Sequence, residues 1–210
     1  MMTDTPAHDF KHVDRVRNWI LLIAEKEGYR DLESAEIAAL LHDIGRAKAK
    51  KVKSHGEVGA KMARKFLGKK EFPKEKIAEI CHAIANHNSN RKVSGKLAHL
   101  LRDADMLDMF GAVGLMRAVV YKSFLPEYNP ENVKGETWKF NQEDFNNKLY
   151  GKADIRKTIV DVINFHISCF GNLNTKTAKK LAKPLVKYLR DYVLQLEKEV
   201  LKSENIWHIN

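Results

Sequence analysis

Cysteine, proline and glycine are scarce in this chain of 210 residues, with 2, 5 and 11 copies respectively. Two cysteines cannot build a disulfide scaffold, and so little proline and glycine excludes a collagen-like or low-complexity chain. We expect Cys81 and Cys169 to be free thiols buried as small hydrophobic residues. No apolar run approaches the roughly 18 residues of a membrane span, and the first residues lack the pattern of a signal peptide. These absences predict a cytoplasmic protein that is not embedded in a membrane.

Acidic residues are outnumbered by basic ones, 27 to 37, so the formal net charge is +10 with histidine neutral. An excess of this size favours anionic ligands such as phosphates, nucleotides or nucleic acid, but it does not determine the fold. Hydrophobic residues make up 44% of the chain, which is enough for a packed core. The composition therefore indicates a globular protein with an anionic ligand.

Apolar residues recur at helical spacing along most of the chain. The pattern predicts helices over 10–27, 33–44 and 54–67, a helix opened by Pro73, two within 94–125 that meet near Arg102–Asp103, two pieces within 138–171, and a long amphipathic helix from Thr175. Residues 126–137 predict a long loop, because proline, asparagine and glycine cluster there. Strand signals are weak throughout, so the expected fold class is all-α.

We expect a single domain in which residues 1–125 form the core and residues 126–210, a loop followed by helices, pack on it. A separate helical domain after residue 137 is the alternative. The last helix is expected to turn one apolar stripe inward, formed by Ala178, Leu181, Leu185, Leu189, Tyr192 and Leu196.

Polar residues that bind metals in proteins follow one of the most apolar predicted helices. His42 and Asp43 end this helix and precede Gly45. Burying such residues without a partner is costly, and a divalent cation would satisfy a neutral imidazole and a carboxylate together. Alternatively, His42 caps a helix carbonyl and Asp43 pairs with a nearby lysine. His12 is in register with the inward face of the first helix, so it also points towards the interior.

A second acidic cluster lies in the segment DADMLD, which places Asp103, Asp105 and Asp108 among apolar residues. Three carboxylates there would repel one another unless a cation or basic side chains neutralise them. Helix capping by Asp103 and a solvated position for Asp108 are reasonable alternatives. Neither explains Asp105, which sits between alanine and methionine.

The order His12, His42-Asp43, Asp105 resembles the H…HD…D signature of the HD-domain metal-dependent phosphohydrolase superfamily. Four ordered blocks match a subgroup of small HD hydrolases: HDFKHVDRV from residue 8, ALLHDIGR, SHGEVGAKMA, and DADMLDMFGAVGLMR from residue 103. A lone HD dipeptide carries little information, whereas four blocks in order over residues 8–125 are specific. The resemblance implies an all-α HD-domain helical bundle with additional C-terminal helices.

The resemblance implies metal ligands at His12, His42, Asp43 and Asp105, with Asp103 as the alternative to Asp105. Two imidazoles and two carboxylates fill four positions of a roughly octahedral ion and leave about two for water or substrate oxygens. We expect one divalent ion, of manganese, iron, cobalt, nickel, zinc or magnesium, and these residue types do not choose among them. A second ion is an open alternative.

Further residues are expected to act on the substrate. His55 and His87 fall where binuclear relatives place additional ligands, but they could equally bind phosphate or transfer protons. Arg46 stands where other branches place a phosphate-contacting lysine. The expected catalytic residues are Asp43, Arg46, His55 and His87, and the expected substrate-binding residues are Arg46, Lys51, Lys53, His55 and His87.

The expected function is metal-dependent hydrolysis of a phosphate ester or anhydride bond in a small phosphorylated substrate, with a nucleotide preferred. Asp108 and Arg117 are expected to orient the ligands. The alternative from another class is a catalytically silent module, stabilised by its metal, that binds nucleic acid or regulates a partner. Steep salt dependence would distinguish nucleic-acid binding from hydrolysis.

Overall fold

The computed structural model describes residues 8–49, 55–88, 93–149 and 155–207. Within these ranges it contains nine α-helices and no β-strand, which confirms the all-α fold class. In chain order they are α1 (Phe10–Lys26), α2 (Leu32–Leu41), α3 (His55–Lys69), α4 (Lys74–Asn86), α5 (Lys96–Leu107), α6 (Gly111–Tyr121), α7 (Gln142–Leu149), α8 (Ile159–Ser168) and α9 (Lys176–Trp207). Two 3₁₀ helices, Ile44–Ala47 and Cys169–Asn172, follow α2 and α8.

Contacts divide the chain into two compact units. The first comprises Met1–Asp108 and Leu173–Lys180, and the second comprises Met109–Asn172 and Leu181–Asn210. The expectation that residues 126–210 pack on a core formed by residues 1–125 stays a prediction.

The first unit is built around α1 and α5. Helix α1 packs against α2 and α5, α3 packs against α4, and α4 packs against α5. The inward face of α1 is the one that the helical spacing predicts, with Val16, Ile20 and Ile23 fully buried. Small residues on α2 and α3, such as Ala38 and Ala63, are also fully buried, so these helices approach their neighbours closely.

Local capping explains where the first helices begin. Asp9 accepts a hydrogen bond from the backbone N–H of His12 at 3.1 Å, and Asp31 accepts one from Ser34 at 3.1 Å. Such N-caps satisfy amide groups that the helix leaves unpaired. Pro73 precedes α4 as predicted, whereas the predicted N-cap Ser54 lies outside the described residues.

The predicted junction of two helices near Arg102–Asp103 is wrong. Helix α5 runs unbroken to Leu107, and the chain leaves helical geometry at Asp108 and re-enters it at Gly111. Gly111 has a φ of +66°, a left-handed conformation that glycine adopts without steric cost. The charged pair at 102–103 does not interrupt the helix, because Asp103 finds hydrogen-bond donors in the turn before α9.

The second unit contains the predicted loop, helices α6, α7 and α8, and most of α9. Residues 126–137 hold no helix, as predicted. The Thr158 hydroxyl and the Asp161 carboxylate form a capping box at the start of α8. Asp161 also accepts a hydrogen bond from the Thr137 hydroxyl at 2.7 Å, which ties the loop to this helix.

The inward face of α9 differs in part from the predicted stripe. Ala178 and Leu189 are fully buried as predicted, but Tyr192 is exposed. Among the described side chains of this helix, the other buried positions are Ala182, Val186 and Val193. Together these positions are spaced three or four residues apart, so the buried stripe runs beside the predicted one and leaves Tyr192 outside it.

The composition predicts buried cysteines and no membrane-spanning segment. Cys81 and Cys169 are buried and form no disulfide with each other, as predicted. Among the helices described, none combines the length and apolarity needed to cross a membrane. The cytoplasmic location stays a prediction.

Candidate metal centre

Five helices of the first unit place their ends, or one side, around a cluster of histidines and aspartates. Among the described residues, three overlapping groups each bring three potential ligand atoms within 4.8 Å of one another. The groups are His8, His12 and Asp43; His12, His42 and Asp105; and His42, Asp43 and His87. The structure therefore gathers all four residues that the resemblance names as ligands.

His42 and His87 reach the cluster by the same local device. Each is the C-cap of its helix, α2 for His42 and α4 for His87. His42 Nδ1 lies 2.6 Å from the Ala39 carbonyl oxygen and His87 Nδ1 lies 2.7 Å from the Ile84 carbonyl oxygen. A carbonyl only accepts, so both Nδ1 atoms carry the proton and both Nε2 atoms turn a lone pair into the cluster. The capping that sequence reasoning treated as an alternative to metal binding is the device that orients the ligand atom.

His12 is oriented by a carboxylate instead. Its Nδ1 lies 2.7 Å from Asp108 Oδ2 and donates to it. Arg15 holds Asp108 in turn, with Nε 2.6 Å from Oδ1 and a second guanidinium nitrogen 3.0 Å from Oδ2. An imidazole that donates to a carboxylate presents its other nitrogen as a more basic ligand.

The contact between His12 and His42 tests whether these residues fit a metal ion. Their Nε2 atoms lie 3.2 Å apart, and both carry lone pairs because each Nδ1 holds the proton. Two lone pairs facing at this distance repel each other, and a cation that accepts both would turn the repulsion into two bonds. The donor set therefore fits a divalent ion.

Asp43 is the hub of the cluster. Its Oδ2 lies 3.0 Å from His8 Nδ1, 2.7 Å from Arg46 Nε and 3.7 Å from the Nε2 atoms of both His12 and His42. Its Oδ1 is buried and has no partner with hydrogen-bond geometry, although two histidine nitrogens lie within 3.6 Å. A buried carboxylate oxygen without a hydrogen bond is a second sign of a cation site.

The structure separates the two candidate aspartates of α5. Asp105 Oδ1 lies 3.5 Å from His12 Nε2, within the cluster. Asp103 is fully buried elsewhere and accepts four hydrogen bonds from Asn174 and Thr175, at 2.7 to 2.8 Å. Its oxygens are thus saturated by the turn before α9, and Asp105 is the residue available to an ion.

The electrostatics of the cluster favour the ionisation states that metal binding needs. Burial lowers the pKa of His42 to about 4, so its imidazole is neutral near pH 7. Although burial opposes the charged form of Asp43, the charge of His42 and contacts with neighbouring histidines hold the pKa of that carboxyl well below its usual range. For Asp105 the same competition between burial and histidine charges lowers the pKa to about 2. Neutral imidazoles beside ionised carboxylates are the states that bind a cation.

His55 differs from His12, His42 and His87 in its tautomer. The Asn88 side-chain amide donates to His55 Nδ1 at 3.1 Å, so Nε2 carries the proton. That nitrogen lies 3.0 Å from His87 Nε2 and 3.1 Å from Asp43 Oδ1. In this tautomer His55 offers a donor to an anion rather than a lone pair to a metal.

A close approach of backbone brings His55 to the site. A Cβ at Gly45 would collide with the His55 carbonyl oxygen and would lie 2.5 Å from the backbone nitrogen of Gly59. Only glycine lets the segment Ile44–Ala47 contact α3 this closely. The glycines of the ALLHDIGR and SHGEVGA blocks therefore have a packing role.

The remaining expected site residues are Arg46, Lys51, Lys53 and Arg117. Arg46 pairs with Asp43 and keeps part of its side chain exposed. Lys51 and Lys53 lie outside the described residues. Arg117 belongs to the second unit, and its orienting role stays a prediction, as do the catalytic and substrate-binding roles of the residues above.

Three residues beside the cluster are absent from the predicted site residues: His8, Arg15 and Asn88. His8 lies four residues before His12, so helical spacing alone places both side chains on one side of the chain. Arg15 stands three residues after His12 within the same block and could have been assigned by the same argument. Asn88 directly follows His87, and no local signal marks it.

Comparison with known proteins agrees with this geometry. The sequence profile of the HD domain matches residues 9–109, the stretch that contributes His12, His42, Asp43 and Asp105. Residues 9–109 belong to the HD-domain superfamily. It is similar to YpgQ of Bacillus subtilis, with 29% identity over 95% of this chain and 88% of YpgQ.

Solved structures share the fold. The crystal structure of a predicted HD superfamily hydrolase from an uncultured Thermotogales bacterium superposes with a TM-score of 0.61 and 27% identity, over 93% of this chain and 83% of that one. The structure of Bacillus subtilis YpgQ in complex with ADP superposes with a TM-score of 0.62 and 23% identity, over 93% of this chain and 88% of that one. Family and cluster together support a metal-dependent hydrolase.

Proposed function

We propose that this HD protein hydrolyses a phosphate ester or anhydride bond of a nucleotide, with a divalent ion held by His12, His42, Asp43 and Asp105. The facing Nε2 atoms of His12 and His42, 3.2 Å apart with both lone pairs turned inward, are the observation that carries this proposal. A divalent ion held there would lower the pKa of a water nucleophile and polarise a phosphoryl oxygen.

The residues of the chain then have separate tasks. The Asp108 carboxylate keeps the proton on His12 Nδ1, so Nε2 stays a ligand atom. His55 holds a proton on Nε2 at the edge of the cluster, where it can bind a phosphoryl oxygen or pass the proton to a leaving oxygen. Arg46 carries a planar cation that suits a phosphate, and its ion pair with Asp43 keeps it beside the cluster.

A nucleotide is the proposed substrate for two reasons. The net charge of +10 attracts polyanions, and the similar protein YpgQ has been crystallised with ADP. Two histidines beside the ligand set, His55 and His87, allow a second ion or a phosphate at the same place. In the described tautomers we favour phosphate, because His55 Nε2 is a donor.

Substitution of two ligands tests the proposal. We expect His42→Ala and Asp43→Ala to lose the bound metal and to lower turnover by more than about 100-fold, since each removes a ligand atom from the cluster. His82→Ala is the matched control, because His82 bonds the Ser94 carbonyl away from the cluster. The measurement is elemental analysis of each purified protein, followed by phosphate and pyrophosphate release over a nucleotide panel with Mn²⁺ added. Full activity in either ligand variant would contradict the assignment.

A further inference from the structure

The second unit holds a cavity of about 510 Å³ that the proposed chemistry does not use. All the residues that line it belong to the second unit. Its volume falls within the range of about 300 to 1,000 Å³ that small-molecule sites occupy. It is therefore large enough for a ligand of nucleotide size.

A buried amide on its wall has an unmet hydrogen-bond acceptor. Asn164 lines the cavity and is only 3% exposed. Its Nδ2 donates to the Lys134 carbonyl oxygen at 2.9 Å and to Thr137 Oγ1 at 3.1 Å, while its Oδ1 is buried without a partner. A buried acceptor left in this state destabilises the folded chain unless a donor reaches it.

Neighbouring bonds determine which way this amide points. The Thr137 hydroxyl donates its proton to Asp161 Oδ1 at 2.7 Å, so the Thr137 oxygen can only accept from Asn164. The Lys134 carbonyl also only accepts. Both partners therefore require the NH₂ group of Asn164, and the oxygen cannot be exchanged into their place.

The rest of the lining complements a flat anionic molecule. Aromatic rings come from Trp138, Phe140 and Phe170, and cationic groups come from Lys139 and Arg190. Aromatic faces bind the π-face of a base, and an arginine suits a phosphate. Lys139 also has a φ of +68°, a conformation rare for a residue with a side chain, and such residues concentrate at ligand sites.

We propose that this cavity is a second ligand site, which binds a nucleoside phosphate whose base donates a hydrogen bond to Asn164 Oδ1. The aromatic side chains cover the base, and Arg190 and Lys139 take the phosphate. The inference does not depend on the proposed hydrolysis, because none of its lining residues belongs to the cluster of the first unit.

The test uses the full chain with His42→Ala to remove turnover, and with Trp19→Phe and Trp207→Phe so that Trp138 is the one remaining tryptophan of the three. AMP is the probe, and quenching of Trp138 fluorescence is the measurement. We expect saturable quenching by AMP. The 5′-monophosphate of purine riboside, which lacks the amino group, should bind about tenfold more weakly because it cannot donate to Asn164.

Matched variants separate the phosphate contact from general charge. Arg190→Gln should weaken AMP about tenfold and leave adenosine unchanged, because the lost partner is the phosphate. Lys187→Gln, on the same helix but outside the lining, should leave AMP binding unchanged. The proposal is overturned if AMP does not quench, if the two purine nucleotides bind equally, or if Arg190→Gln and Lys187→Gln have the same effect. The His42→Ala background already lacks a metal ligand and turnover. Failure of AMP to bind the cavity would therefore not contradict the proposed hydrolysis.

Discussion

At the scale of single residues, the cluster depends on which nitrogen of each histidine carries a proton. His42 and His87 are set by carbonyls of their own helices, and His12 is set by Asp108. In each case the Nε2 lone pair faces inward without any contribution from a metal. The structure is thus prepared for an ion by ordinary hydrogen bonds, and removal of one orienting partner should weaken the site without removing a ligand.

Asp108→Asn tests this orientation. An amide oxygen accepts less strongly than a carboxylate and cannot balance the charge of Arg15, so His12 would lose the partner that holds its tautomer. We expect metal affinity to fall about 10- to 100-fold, with turnover restored in part by excess Mn²⁺, as measured by metal titration and initial rates. Asp14→Asn, on the same helix as His12 but outside the cluster, is the control. Unchanged affinity in Asp108→Asn would show that the bond to His12 is structural only.

At the scale of elements, the site is a meeting of helix ends. The C-termini of α2 and α4, the N-termini of α1 and α3, and one side of α5 supply its residues. Helix ends carry backbone groups that lack partners within the helix, so side chains there are already engaged in capping. A small change in the distance between two of these elements should therefore shift several site residues at once.

Gly45→Ala tests the approach of the segment Ile44–Ala47 to α3. The added methyl would collide with the His55 carbonyl oxygen, so the two elements must separate. We expect a loss of about 1–3 kcal/mol in the free energy of unfolding, as for other overpacked sites, and a loss of activity, because His55 would shift relative to Asp43.

Gly68, within α3, provides the control for this variant. A Cβ at Gly68 would meet nothing within 4 Å. Gly68→Ala should therefore be neutral or stabilise the chain by up to about 1 kcal/mol. Urea unfolding and initial rates measure both variants. If Gly45→Ala matched Gly68→Ala in stability and rate, the close approach would have no importance for the site.

At the scale of the whole molecule, buried histidines link stability to pH. Burial lowers the pKa of His166 to about 3, with further contributions from Arg117 and Arg156, and burial lowers the pKa of His42 to about 4. Unfolded histidine titrates near 6.5. Below about pH 6.5 the unfolded chain therefore binds protons that the folded chain does not, and stability falls as the pH falls. Although burial opposes the charged form, contact with Asp43 and the charge of Asp105 raise the pKa of His87, so His87 acts in the opposite direction.

His166→Leu isolates one of these contributions in the metal-free chain. Between pH 7 and pH 4.5, we expect His166 to account for a loss of about 2 kcal/mol in the free energy of unfolding. The variant should show a correspondingly smaller drop, measured by urea unfolding at both pH values with chelator present. His82→Gln is the control and should retain this drop, because it leaves His166 in place. An equal drop in His166→Leu and the unchanged chain would contradict the assignment.

The sequence by itself determined the helices and the identity of most cluster residues. Periodicity and caps act over a few residues, so the starts of α1 and α4 and the long C-terminal helix could be predicted. The ordered HD blocks likewise named His12, His42, Asp43 and Asp105 before any distance was known. The wrong junction at Arg102–Asp103 shows where prediction from local pattern fails. A charged pair predicts the end of a helix unless its hydrogen-bond partners are known.

Only the tertiary structure decided which groups meet. Asp103 and Asp105 are two residues apart and therefore about 200° apart around α5, so they face opposite sides of the helix. Local pattern cannot say which side faces His12, because that depends on how α5 packs against α1. The same holds for the His55–Asn88 contact and for the cavity beside Asn164. Distances between residues far apart in the chain are set by packing of whole elements, and no local sequence signal encodes them.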